Sequence, residues 1–388
     1  MNYIVISPYY PENFQQFTIE LANKGITVLG IGQEPYEQLG PGLQNALTEY
    51  FRVDNLENLD EVKRAVAFLF YKHGPIDRIE SHNEYWLEQD AQLREQFNVF
   101  GAKPDDLKKT KLKSEMKKLF QKAGVPVVPG QVVKKLSDVE QAVKKIGLPL
   151  IAKPDNGVGA AATFKIETAA DVEHFKAEWD QETVYFFEKF VTSSEICTFD
   201  GLVDKDGKIV FSTTFDYAHT PLDLMLYKMD NAYYVLKDMD PKLRKYGEAI
   251  VKEFGMKERF FHIEFFREGD DYIAIEYNNR PAGGFTIDVY NYAHSLDLYK
   301  GYAAIVAGEP FPESPFETQY CLATSRRANA NYVYSEEDLL AKYGQQFKVK
   351  KIMPAAFAEL QGDFLYMLTT PSREEMDQMI KDFGQRQE

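Results

Sequence analysis

Glu264 and Glu276 stand in a pattern that could hold a cation. The stretch from Phe261 to Arg280 has two runs rich in Phe, Ile and Tyr around a polar Glu268-Gly269-Asp270-Asp271 segment, the composition of strand, tight turn and strand. Glu264 and Glu276 lie six residues to either side of Asp270, so a turn centred there sets them opposite each other across an antiparallel hairpin. Two carboxylates about 5 Å apart repel by roughly 3 kcal/mol at an effective dielectric of about 20, and apolar neighbours add a desolvation cost. Period two puts Asn278 and Arg280 on the face of Glu276. Such hard oxygen donors beside a guanidinium suit Mg²⁺, which keeps several waters and contacts substrate phosphates. A one-residue slip of the turn would instead turn the glutamates to solvent.

A second element could supply those phosphate contacts. Between Gly147 and Ile166 an apolar run ends at Lys153-Pro154-Asp155, a loop of small residues follows from Asn156 to Ala162, and a second apolar run begins at Phe164. The Gly-Lys-Ser/Thr of a Walker A loop is missing and the loop leads into a strand, so this is not a P-loop. Small residues between two strands still let backbone N–H groups approach phosphate oxygens, with Lys153 as a point charge. A hairpin without a ligand is the plain alternative.

The elements that position these groups read as follows. Residues 3–7 and 26–31 are short apolar runs around an amphipathic segment, 13–24, that ends at Gly25, a β-α-β pattern. A helix over 59–71 leads to a further strand at 76–80, so the first hundred residues form a small parallel-sheet domain. Ser7-Pro8-Tyr9-Tyr10-Pro11 follows the first strand where a dinucleotide binder has its glycines, so this is not an NAD domain. Ser81 to Trp86 follows the carboxyl end of a strand, where open sheets bind ligands, so a substrate role for Glu84 is conceivable; the favoured reading is a helix start, with Asn83 capping the segment from Glu84 to Phe97. Lys108, Lys109, Lys111, Lys113, Lys117, Lys118 and Lys122 lie on helix ending at Gly124, most of them a solvated face. Strands recur from 184 to about 215, the 216–234 segment with Tyr217, His219, Met225 and Lys228 is either a substrate loop or a surface connection, and a helix over 241–254 leads into the central hairpin. Beyond Pro312, short strands and a last helix from Arg373 follow.

Composition bounds the partners. The chain has 388 residues, 44% hydrophobic and 14% aromatic, enough for two or three domains with packed cores. Its 45 Lys and Arg against 60 Asp and Glu give a net charge of −15, which argues against nucleic acid. Cys197 and Cys321, its two cysteines, stand in apolar context and read as packed thiols in a reducing compartment. The first residues read as a strand and not a signal peptide, and no run of about 18 apolar residues marks a membrane span. The expectation is a soluble cytoplasmic protein with no membrane partner.

Lys113, Lys153 before its Gly/Ala loop, Glu188-Lys189-Phe190-Val191, Glu195, Glu264 and Glu276-x-Asn278-x-Arg280 occur in this order. That order resembles the ATP-grasp superfamily of carboxylate-activating ligases, the group of D-alanine–D-alanine ligase, biotin carboxylase and the bacterial L-amino acid ligases, over roughly residues 1–310. The resemblance implies an α/β chain, α+β in the ATP-binding part. Its divisions would be a Rossmann-like domain (1–103), a lid subdomain with the phosphate loop (104–187), a large subdomain with the metal site (188–310) and a C-terminal α+β segment (311–388) packing on the large subdomain. ATP and two Mg²⁺ ions are the implied cofactors, with Mn²⁺ an acceptable substitute. Lys113 and Lys153 would contact phosphates, and Asn156, Gly157, Gly159 and Ala160 would belong to a flap over them, although this loop lacks the commoner Gly-Gly-Ser form. Backbone groups of Lys189 and Val191 would read adenine, Glu188 would support that hinge, and Glu195 would bind ribose. Glu264, Glu276 and Asn278 would be metal ligands and Arg280 would steady the transferring phosphoryl group.

The expected function is an ADP-forming ligase that activates a small carboxylate as an acyl phosphate and joins it to an amine or thiol. Two alternatives stand beside it: bicarbonate activation of the biotin carboxylase or carbamoyl phosphate synthase kind, and a non-catalytic ATP-binding sensor. Small-molecule substrates are the implied partners, and a homodimer is compatible with the family. Arg326 and Arg327 could receive a substrate carboxylate through bidentate bonds, or be paired surface arginines.

Overall fold

The computed structural model describes residues 1–157, 162–193, 195–219, 224, 229–354, 358 and 361–387. Three sheets organise the chain. The first holds β1 (Asn2–Ile6), β2 (Thr27–Gly32), β3 (Glu49–Arg52) and β4 (Arg78–Glu80) in the order β3-β2-β1-β4, with all pairs parallel. Parallel strands are buried on both faces. Ile4, Ile6, Leu29 and Ile31 pack on Val62, Val66 and Leu69 of the helix Leu59–His73, while Tyr3, Val5 and Val28 pack on Phe17 and Leu21 of the helix Gln15–Asn23. Asn58 caps the longer helix by accepting from the Glu61 N–H.

The second sheet is β5 (Gly130–Val133), β6 (Leu150–Pro154), β7 (Phe164–Ile166) and β8 (Tyr185–Lys189), in the antiparallel order β5-β8-β6-β7. Val139, Ala142, Val172 and Phe175 from the helices Leu136–Ile146 and Ala169–Glu178 cover one face. The expected division between 187 and 188 falls inside β8, so this sheet runs on to Lys189. The helix Lys113–Lys122 belongs elsewhere: its Met116 and Phe120 pack with Ile250, Val251, Phe254 and Tyr277 under the third sheet. Lys113 and Lys117 share that inward face and are buried, whereas Lys118 and Lys122 are exposed. The basic run is therefore a solvated face only in part.

The third sheet holds β9 (Ile196–Val203), β10 (Ile209–Thr213), β11 (Phe215–Tyr217), β12 (Ala232–Val235), β13 (Arg259–Glu268), β14 (Asp271–Asn278), β15 (Tyr320–Arg326), β16 (Phe347–Ile352) and β17 (Phe364–Thr370). Its path is β14-β13-β9-β11-β12-β15-β17-β16, with β10 on β9. The residues beyond 311 thus extend this sheet with three strands, under the helix Arg373–Gly384. Arg78 grips Glu258 through Nε (2.5 Å) and Nη2 (2.9 Å). Arg259 joins Glu80 (2.7 Å) to the Asn279 carbonyl (2.9 Å). The first pair ties the start of β4 to the residue before β13, and the buried Arg259–Glu80 pair fixes the carboxyl end of β4 against the hairpin. Cys197 and Cys321 are free and buried; burial pushes the Cys197 thiol up to about 12. Among the described residues no helix is long and apolar enough to cross a membrane.

Candidate active site

The β13–β14 hairpin sets Glu264 across from Glu276, with Ile263 opposite Tyr277 and His262 opposite Asn278. The turn is not centred on Asp270. Glu268 pairs with Asp271, leaving Gly269 and Asp270 as the two-residue connection, and Phe265 pairs with Ala274. Gly269 takes the left-handed conformation, φ +58°, which glycine adopts without strain. A regular ladder from this turn would put Ile275 against Glu264. A β-bulge at Ile275 inserts the extra residue and brings Glu276 into place, so Ile275, Glu276 and Asn278 all line the same cavity.

Around Glu264 the sheet supplies further polar groups. Tyr217 donates to Glu264 Oε1 (3.1 Å), and His262 Nε2 lies 3.7 Å from the same oxygen. His262 Nδ1 meets Asp200 Oδ1 at 2.6 Å, and Asp200 Oδ2 accepts from Tyr290 (2.7 Å) and from Thr198. Burial works against charge on His262, but the Asp200 carboxylate overcomes it and raises the imidazole to about 9. Burial also opposes ionisation of Glu264, yet His262 and Tyr217 hold its carboxyl below the usual range.

Lysines line the other wall. Lys113 Nζ donates to the Gly157 carbonyl (2.6 Å) and lies 3.4 Å from Glu276 Oε1. Glu188 is held between two buried lysines, Lys153 at Oε1 and Lys117 at Oε2 (3.3 Å). Burial would raise the Glu188 carboxyl, but Lys117 and Lys153 bring it down to about 2. Burial lowers Lys117, whereas Lys153 is raised because Glu188 and Glu276 outweigh its burial. Lys117 Nζ also donates to the Ala274 carbonyl (2.9 Å), one residue before the bulge.

These groups surround a cavity of about 1020 Å³ between the three sheets, lined by Lys113, Lys153, Glu188, Lys189, Val191, Glu264, Glu276, Asn278 and Arg280 among others. That volume is at the upper end for small-molecule sites. Arg280 Nε donates to Glu84 Oε2 (2.9 Å), so the first sheet reaches the hairpin's end. Glu84 also lines the cavity and opens a short helix in which Asn83 accepts from the Tyr85 N–H, the capping expected of this segment. The backbone N–H of Lys189 is taken by Pro129 O (3.0 Å), which leaves only its carbonyl for a ligand.

Other expected site residues lie differently. Asn156 bridges to Leu112 and is not among the residues lining the cavity, and Gly157 contributes the carbonyl that holds Lys113. Gly159 and Ala160 lie outside the described residues, as do Met225 and Lys228. The Glu195 side chain is exposed, with Arg267 at 3.6 Å, and is not among the residues lining the cavity. Arg326 is buried, donating to Tyr334 O (2.7 Å) and lying 3.7 Å over the Tyr332 ring; Arg327 donates to Met229 O (3.3 Å). Neither lines the cavity. Sequence reasoning missed Lys117, Asp200 and His262. His262 was within reach of it, since period two sets it on the face of Glu264.

Among the described residues no three His, Cys, Asp or Glu side chains cluster to hold a metal. Two carboxylates and an amide oxygen are instead the sparse hard-oxygen set of an ion whose remaining positions go to water and phosphate, and the residues fit Mg²⁺ in that sense.

Residues 145–288 match the ATP-grasp domain family, so this chain carries an ATP-grasp domain. The L-arginine-specific L-amino acid ligase of Bacillus subtilis is 23% identical over 321 residues, 76% of this chain and 75% of that protein. The crystal structure of the L-amino acid ligase from Bacillus licheniformis superposes with a TM-score of 0.72 at 15% identity, covering 98% of this chain and 96% of that one. The biotin carboxylase domain of the Hydrogenobacter thermophilus 2-oxoglutarate carboxylase, solved as a dimer with MgADP and bicarbonate, gives 0.68 at 17% identity over 95% and 86%.

Proposed function

We propose that this protein is an ADP-forming ligase that activates a small carboxylate with ATP and joins it to an amine or thiol. The observation that carries the reading is the cross-strand pair Glu264 and Glu276, in one cavity with Lys113, Lys153 and Arg280. Lys113 and Lys153 bind phosphate oxygens, and the Lys189 carbonyl and Val191 face the adenine from β8 and the segment after it. Glu264, Glu276 and Asn278 would hold Mg²⁺, which when bound neutralises charge on the phosphoryl oxygens. Arg280, oriented by Glu84, adds a fixed cation where that charge builds.

The carboxylate oxygen attacks the γ-phosphorus and ADP leaves. The amine then attacks the acyl carbon, and phosphate departs with the carboxylate's oxygen. No side chain serves as nucleophile; the residues position and neutralise. The apolar walls, which include Phe14, Trp86 and Phe215, exclude water that would hydrolyse the acyl phosphate.

Two ions bridged by Glu276, a ribose contact from Glu195 after rotation of its exposed side chain, and the flap role of 156–162 belong to the same proposal. So do a cytoplasmic location and a homodimer, the assembly named for the 2-oxoglutarate carboxylase domain. Small molecules are the partners, in keeping with the net charge of −15.

Phosphate release across a panel of L-amino acid pairs tests the reading. A ligase releases phosphate only when both carboxylate and acceptor are present. Bicarbonate-dependent release would favour carboxyl activation of the biotin carboxylase kind, and ATP binding without release would favour a sensor.

A further inference from the structure

We infer that Lys113 makes this site take its divalent ion as a chelate with nucleotide phosphates and reject the free ion. The inference rests on reading the cavity as a nucleotide site. Glu276 already has a cation of the protein's own beside it. Lys113 Nζ is 3.4 Å from Glu276 Oε1, and its side chain is only 4% exposed, so solvent screens it poorly. A divalent ion on Glu276 shares that carboxylate with the Lys113 ammonium. Two cations on one carboxylate in a poorly screened site repel each other strongly.

Among the described residues Lys113 also donates to the Gly157 carbonyl at 2.6 Å, which holds it in place as Lys153 is held by Glu188. It therefore cannot swing away to admit an ion at no cost. A polyphosphate changes the balance. Its oxygens accept from Lys113 while also binding the ion, so anion and metal enter together and each raises the other's affinity. By linkage that coupling is reciprocal. Removing the Lys113 charge then has opposite effects on the two ligands: the free ion binds better and the chelate binds worse. A residue that merely supported the fold would weaken both.

Mn²⁺ binding by electron paramagnetic resonance reads this without turnover. In the wild type Mn²⁺ alone binds weakly, and saturating ADP tightens it at least tenfold. In Lys113→Gln, Mn²⁺ alone binds severalfold tighter than in wild type, and the tightening by ADP shrinks. Lys113→Arg keeps the charge and retains the wild-type pattern, which also shows that a changed side chain is tolerated. If Lys113→Gln, folded by circular dichroism, binds free Mn²⁺ no tighter than wild type, the inference is overturned while the nucleotide reading stands. If wild type binds no Mn²⁺ with ADP present, the nucleotide reading itself falls, and this inference with it.

Discussion

Glu276 reaches its place opposite Glu264 because Ile275 bulges out of the ladder between it and the turn. The two-residue turn alone would have left Glu276 one position out and on the wrong face. Ala274, beside the bulge, is fixed at both backbone groups: its N–H donates to Pro126 O (2.9 Å) and its carbonyl accepts from Lys117 (2.9 Å). Register at the carboxylate pair therefore depends on a lysine more than 150 residues upstream.

Lys117→Met tests that dependence. It strips one cation from buried Glu188 and the donor from Ala274 O, leaving Lys153 as the remaining partner. Breaking a buried pair by removing one member costs about 3–5 kcal/mol, and the surviving partner lowers this to about 2. We expect urea denaturation to report that loss, and calorimetry to show ADP binding weakened by about tenfold or more. Unchanged ADP affinity would confine Lys117 to stability.

Tyr217→Phe removes the hydroxyl that donates to Glu264 Oε1. Groups that orient a ligating carboxylate typically contribute 10–100-fold in metal affinity. Mn²⁺ affinity with ADP present should fall by about that factor while the melting temperature moves little, because the ring keeps its packing on Phe215.

Two histidines give stability opposite pH dependences. Burial, with Phe17 stacked at 4.3 Å and Tyr302 edge-on, holds His82 down at about 4, below the unfolded value of about 6.5. Between those values the unfolded chain binds a proton that the folded chain does not, so stability falls as pH drops through that window. His262, raised to about 9, does the reverse: its contribution is complete below about 6.5 and is lost as pH rises through 9. Linkage puts about 3 kcal/mol on each. In unfolding curves of metal-free protein at pH 4.5, 6.5 and 9, chosen to bracket these windows at roughly the two histidines' values, His82→Gln should flatten the acid limb and His262→Gln the alkaline one.

How much of this could be read from the chain differs from residue to residue. Glu264, Glu276 and Asn278 were legible because strand periodicity is local, although the bulge that makes the pairing correct left no mark in composition. The buried pair Lys113 and Lys117 was hidden in a run of lysines; only their phase with Met116 and Phe120 separates them from Lys118 and Lys122. Asp200 could not be assigned to His262, since that contact follows from the register of β9 against β13, strands some 60 residues apart. Glu195 shows the limit of motif order: its position in the chain is the expected one, but its side chain leaves the strand edge toward Arg267.

Arg280 takes its orientation from Glu84, which follows the carboxyl end of β4. Glu84→Gln keeps the shape and removes the charge pairing, so kcat should fall by about tenfold or more with little change in KM for ATP, as expected when a group acts mainly in the transition state. Equal loss in KM for ATP would assign Glu84 to nucleotide binding.

The most direct test of carboxylate activation follows the oxygen. With a carboxylate substrate found by the amino-acid panel and labelled with ¹⁸O in its carboxyl group, the phosphate released on ligation is analysed by mass spectrometry. Attack by the carboxylate on the γ-phosphorus predicts one labelled oxygen in each phosphate, with labelled phosphate and ligated product formed in equal amounts. Glu276→Gln should lower that yield by roughly a hundredfold or more. Phosphate carrying no label would contradict the account, because ATP would then be split without the carboxylate.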